Sequence, residues 1–322
     1  MPIKKLLSLI FLLLSCTVFA QETDSVSAEG PDTVKAGAYV ISVHDINFHE
    51  KEYTIRFWLW FLHNNTDFDF SKQLDIPNAK SIEFEDPITD SLDGKAWVIT
   101  KMKCVMKQNW NVKDFPFDEQ HLKVQIENTL FDNSSLVFFA DTTSRFDDEE
   151  AIDGWDISDF KVTTTQNDYH TGFGDSRPEK QFSEFSQFVI QMRLERDAWG
   201  LFMKIFIGMY IAFMISTVSF TPHPSELEPR FGLPVGGLFA AVGNKYIIDS
   251  LMPESSSFTL VDTLHALTFL SILATLIISA VVLKLHDNQK NELALKVNRI
   301  CSRIVVLLYV ALNIIFISIA LF

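Results

Sequence analysis

The order of apolar and polar positions divides the chain into two unlike parts. From residue 36 to 197 short runs alternate, as in Ala38-Tyr-Val-Ile-Ser-Val, Thr54-Ile-Arg-Phe-Trp-Leu-Trp and Phe188-Val-Ile-Gln-Met-Arg-Leu. Turn-forming clusters separate them, among them Asn64-Asn65-Thr66-Asp67, Asp132-Asn133-Ser134-Ser135 and Gly172-Phe173-Gly174-Asp175. Strands at this spacing, with no long helical period between them, predict an all-β, immunoglobulin-like antiparallel sandwich. No internal repeat is visible.

From 198 to 322 the pattern changes to long apolar runs. They predict an all-α membrane domain with helices at roughly 199–220, 231–252, 258–284 and 300–322, each near the about 20 residues that cross a bilayer core. Lys284, Lys290, Lys296, Arg299 and Arg303 gather around the connector between the third and fourth runs. Positive charge favours the cytoplasmic side, which puts that connector inside and the 36–197 domain outside.

The start of the chain agrees. Residues 1–20 open with Lys4 and Lys5, continue with an apolar stretch and end on Val18 and Ala20, the pattern of a cleavable secretory signal; 21–35 then form a flexible N-terminal segment. Cys16 leaves with the signal. Cys104 and Cys301 remain, one in each part, so the exported domain is expected to fold without an internal disulfide. A formal net charge of −14 argues against a nucleic-acid partner and favours cations at the outer surface.

The second apolar run differs from the others. Stepping by four and three residues from Gly232 gives Gly236, Phe239, Gly243, Tyr246 and Ser250, all on one helix face. Such a face fits a small-residue stripe for close helix packing. It equally fits a water-facing wall with Phe239 as an apolar constriction. Glu226, Glu228 and Arg230 fall at the cytoplasmic end and Asp249 near the outer end; ionisable groups at membrane depth line water or are paired. One helix cannot enclose a pore, so the pore reading requires a symmetric homo-oligomer.

The stretch Asn109-Trp-Asn-Val-Lys-Asp-Phe-Pro-Phe-Asp-Glu-Gln resembles the signature loop of pentameric ligand-gated ion channels, the Cys-loop receptor superfamily, with its core at Phe115-Pro116-Phe117-Asp118 and then Gln120. Gln108 and Leu122 stand where animal members carry the bracketing cysteines, so the chain is similar to the prokaryotic type that lacks the bridge. Gly154-Trp155-Asp156-Ile157 with Asp159-Phe160, Arg193-Leu-Glu-Arg196 and Ser250-Leu-Met-Pro253 follow in the family's order. The resemblance covers about 40 to 322. Two departures stand out: Gly208 occupies a place where the family has proline, and the glycine-rich second helix contains Pro234.

The resemblance implies a pentamer in the bacterial inner membrane, multi-pass, surrounded by lipid and with its N-terminal domain in the periplasm. A small-molecule agonist, an amine or protons, would open it to monovalent cations. Phe115, Pro116, Phe117, Asp118, Arg196 and Pro253 would couple the two domains. Glu228 and Asp249 would form acidic rings that select cations. Phe131, Tyr169, Phe182 and Phe185, with Trp58 or Trp60 from a neighbouring subunit, would make an aromatic box for the agonist.

No cofactor is implied. The run Asp147-Asp148-Glu149-Glu150 offers hard oxygen ligands that could bind a modulatory Ca²⁺, or is a solvated acidic loop. The chain has no Gly-x-Ser-x-Gly, no His-Glu-x-x-His and no phosphate-binding glycine loop, so an enzyme is not expected. The rival to a channel is a non-conducting oligomeric receptor or scaffold that keeps the channel fold.

Overall fold

The computed structural model describes residues 30–149, 152–174, 183–253 and 257–321. Strands β1 (Asp32–Asn47), β2 (Glu52–His63), β3 (Leu74–Asp75), β4 (Ala79–Phe84), β5 (Ile88–Leu92), β6 (Lys95–Lys107), β7 (Glu119–Asn128), β8 (Leu136–Ala140), β9 (Arg145–Phe146), β10 (Trp155–Asp168) and β11 (Glu184–Arg196) come first. Helices α1 (Ala198–Val218), α2 (Leu227–Asp249), α3 (Leu260–Asp287) and α4 (Asn291–Leu321) follow.

The strands form two sheets packed as a sandwich. One has seven strands in the order β4-β6-β2-β1-β8, with β5 on β6 and β9 on β1; the other has four, β10-β11-β7-β3. Alternation explains the core between them. Tyr53, Ile55, Phe57, Leu59 and Phe61 of β2 all point inward and are closed to solvent, and they share one core with Leu122, Val124 and Ile126 of β7 and Phe188, Ile190, Met192 and Leu194 of β11. Each such side chain contributes on the order of 1.5–3 kcal/mol of burial.

Two features depart from the sequence reading. β8 and β9 run parallel to β1, so the sandwich is not wholly antiparallel. Alternation reports which face of a strand is buried, not the direction of its neighbour. β1 also takes in Asp32–Lys35, with Lys35 opposite both Leu62 and Phe139, where hydropathy alone leaves the preceding segment. Cys104 and Cys301 are free thiols.

All four helices are long and apolar enough to cross a membrane, which makes this a multi-pass membrane protein. α2 begins at Leu227, before the expected 231, because Pro229 sits in the first turn, where a missing N–H breaks no intrahelical bond. α3 starts on a capping box: Asp262 N donates to Thr259 Oγ1 at 3.2 Å, and Thr259 N to Asp262 Oδ2 at 2.8 Å. α4 is the outermost helix, and it begins at Asn291 because its polar first turns continue the helix below the apolar run.

Candidate functional site

Packing assigns the faces of α2. Its buried residues are Arg230, Pro234, Gly237, Ala241 and Ile248, spaced by three, four and seven. Gly232, Gly236, Phe239, Gly243, Tyr246 and Ser250 are all exposed, Phe239 at 73% and Tyr246 at 77%. At about 100° per residue the two sets lie on opposite sides of the helix.

The glycines separate in the same way. A Cβ on Gly237 would lie 2.7 Å from the Ala212 carbonyl and collide with Ser216 Oγ, so α1 and α2 approach closely at Gly237. A Cβ on Gly232, Gly236 or Gly243 would meet nothing within 4 Å. Within the chain, therefore, the expected glycine stripe packs against no helix. Gly237 escaped the sequence reading, although its spacing to Pro234 and Ala241 marks it.

The charged side chains of α2 fall on different sides of the helix. Glu228 is exposed in the first turn of α2, whereas Arg230, two residues on, is not. Arg230 is fully buried, donating to the Pro222 carbonyl at 2.9 Å and to Asn298 Oδ1 at 2.7 Å. Asp249, at the other end of α2, is one of the paired groups. It is ion-paired with Lys245, which also holds Asp262 at 2.8 Å.

The C-terminal half of α2 is further fastened by Asn244. Its Nδ2 donates to Ile205 O of α1 at 3.1 Å and its Oδ1 faces His265 Nε2 of α3 at 3.1 Å. Gly208 leaves the room for this, since a Cβ there would lie 3.3 Å from Asn244 Nδ2. Asp262, His265 and Asn313, which look isolated in sequence, are thus all engaged, Asn313 accepting from the Tyr210 hydroxyl at 3.2 Å.

At the junction of the domains Arg196 Nε donates to Asp118 Oδ1 at 2.7 Å and its Nη2 to Asp118 Oδ2 at 3.1 Å. Gln120 Nε2 adds a bond to Asp118 Oδ2 at 2.6 Å. The guanidinium also lies over Trp155 at 3.9 Å, Phe48 at 4.9 Å and Phe115 at 5.0 Å from the ring centres. The Phe115–Pro116 peptide is cis. Phe117 packs on Trp199 and Phe202 of α1, with ring centres at 5.5 and 5.4 Å. The loop reaches α3 as well, because Leu260 N donates to Lys113 O at 2.8 Å. Pro253 is buried, while the connector at 254–256 lies outside the described residues.

Of the six expected agonist-contacting rings, the structure brings two together. Tyr169 and Phe185 meet edge to face at 5.8 Å, and Phe173 joins them at 5.4 and 6.5 Å. Phe173 was legible only as part of a turn cluster. Tyr169 leads on to Glu127, 3% exposed, which accepts from the Tyr169 hydroxyl at 2.7 Å, from Asn167 Nδ2 at 3.1 Å and from Gln187 Nε2. Burial and the Glu127 carboxylate push the Tyr169 phenol up to about 12.

The other rings have different partners. Phe131 packs on Phe68 at 4.9 Å, and Trp58 lies under Lys101 at 5.6 Å. Trp60 covers Gly37 and donates Nε1 to Asp141 Oδ2 at 3.1 Å. Burial works against ionisation of Asp141, but hydrogen bonds from Thr143, Trp60 and Lys35 hold its carboxyl down to about 2. Phe182 lies outside the described residues.

Only part of the acidic run is described. Glu150 lies outside the described residues, and among those described no three or more His, Cys, Asp or Glu side chains are grouped to hold a metal ion. Asp147 Oδ1 instead accepts from the Glu149 backbone at 3.2 Å, which makes a turn. In comparison with known proteins, no family model matches the chain and no curated sequence is similar to it.

Proposed function

We propose that this chain is one subunit of a prokaryotic-type pentameric ligand-gated ion channel in the bacterial inner membrane, its sandwich in the periplasm, opened by a small amine and conducting monovalent cations. The observation that carries the reading is the free face of α2. Gly232, Gly236, Phe239, Gly243, Tyr246 and Ser250 are exposed together, opposite the face that packs on α1 and α3. Glycines and a terminal hydroxyl make poor contact with lipid, whereas water accepts the backbone they uncover. Copies arranged about an axis would close such faces around a lumen, with Phe239 as the narrow apolar ring.

The junction supports gating. The signature loop touches α1 through Phe117, the last strand through Arg196 and α3 through Lys113, so a shift of the sandwich has a direct path to the helices flanking α2. Glu127 supports an amine as agonist. It is a buried carboxylate held by neutral donors, with no cationic side chain paired to it among the described residues, and it holds the hydroxyl of Tyr169, one of three rings in contact. A ligand ammonium would supply the missing charge and sit against the ring faces.

Purified protein in planar bilayers tests the reading. Amines are expected to evoke a cation current, and Phe239→Ala to raise the current that flows without agonist. Silence of both proteins across a panel of amines and pH values would favour the non-conducting receptor.

A further inference from the structure

Glu228 and Arg230 are two residues apart, yet the helix sends them to opposite sides. Glu228 lies one turn below Gly232 and continues the exposed face, whereas Arg230 heads the buried row of Pro234, Gly237 and Ala241. Arg230 is a full charge at 0% exposure. Its partners are uncharged: the Pro222 carbonyl at 2.9 Å and Asn298 Oδ1 at 2.7 Å, while its Nε has none. No carboxylate pairs with it among the described residues. Asn298, on α4, is itself fixed by donating Nδ2 to Phe220 O at 2.9 Å.

We infer that Asn298 is a positioning residue for ion selectivity: with the Pro222 carbonyl it clasps the Arg230 guanidinium away from the cytoplasmic mouth, leaving Glu228 as the charge that ions meet. This rests on the channel reading. A buried guanidinium with only neutral acceptors is held against a strong drive to rehydrate, and the loss of either acceptor tips that balance. On the channel reading water fills the mouth, and a freed arginine, long and flexible, would turn round the first turn of α2 toward it. Once there, it would stand beside Glu228 and cancel its field.

The test pairs a chemical readout with an electrical one. In purified wild-type protein, phenylglyoxal is expected to modify the exposed Arg299 and Arg303 and to spare Arg230, as read by mass spectrometry. Asn298→Leu keeps the branched shape of the side chain, removes the acceptor and is expected to expose Arg230 to the reagent; Asn298→Asp keeps an acceptor and is expected to leave it protected. In bilayers under asymmetric NaCl, Asn298→Leu is expected to lower the Na⁺/Cl⁻ permeability ratio several-fold, and adding Arg230→Gln to restore it. Should Asn298→Leu not fold, Asn298→Ala reads the same bond.

Labelling of Arg230 at the rate of Arg299 in the wild type overturns the clasp. An exposed Arg230 with an unmoved permeability ratio overturns the selectivity role. If no variant conducts, the channel reading fails and the selectivity role with it, while the labelling pattern still decides the clasp.

Discussion

Arg196 and Asp118 meet in a two-point ion pair, Nε to Oδ1 at 2.7 Å and Nη2 to Oδ2 at 3.1 Å, where the sandwich rests on the membrane helices. The side chains are 10% and 1% exposed, and Trp155 lies against the guanidinium. Removing one partner of a buried pair strands the other charge and costs about 3–5 kcal/mol. Asp118→Asn is therefore expected to lower the thermal midpoint of the purified protein and to abolish agonist-evoked current while amine binding persists. A melt identical to wild type would contradict a buried pair.

Glu127→Gln keeps the shape of the side chain and removes its charge. Amine affinity, measured by calorimetry, is expected to fall about tenfold or more, the scale of one charge-assisted bond. Unchanged affinity would remove Glu127 from the site.

The same residue carries a pH signature. Tyr169 holds its proton up to about 12 in the folded protein, against about 10 in an unfolded chain. Because the folded state binds this proton more tightly, the contribution to stability is full below about 10 and is lost as pH rises toward 12. In Glu127→Gln the phenolate absorbance of Tyr169 is expected to appear at lower pH, detected as the difference from a Tyr169→Phe control.

Gly237 and Gly236 are adjacent and predict opposite outcomes. Alanine at 237 would be forced against the Ala212 carbonyl, and overpacking of this kind costs about 1–3 kcal/mol, so a lower melting temperature and less assembled protein are expected. Alanine at 236 meets nothing within the chain and is expected to melt as wild type. Equal behaviour of the two would contradict the orientation given to α2.

Periodicity carried most of this architecture. The inward residues of β2 and the four apolar helices follow directly from spacing, because burial imposes a period of two on a strand and a long apolar run on a membrane span. The exposed row of α2 was legible for the same reason. Partners were not. That Arg230 turns to Asn298, or Lys245 to Asp262, depends on residues far apart in the chain that only the packed bundle brings together. Phe173 and Glu127 were hidden likewise: each looks ordinary in its own strand or turn, and they gather only where β7 and the β10–β11 hairpin meet. The parallel pairing of β8 with β1 left no local mark at all.

Cysteine accessibility along α2 tests the central claim most directly. Cys104 is fully buried and Cys301 partly exposed, so a background with Cys16→Ser and Cys301→Ser serves. In protein reconstituted into vesicles, a charged thiol reagent is expected to modify single cysteines at 236, 239 and 243 and to spare those at 234 and 241. Protection of the first set, or equal reaction of both, would contradict a water-lined α2.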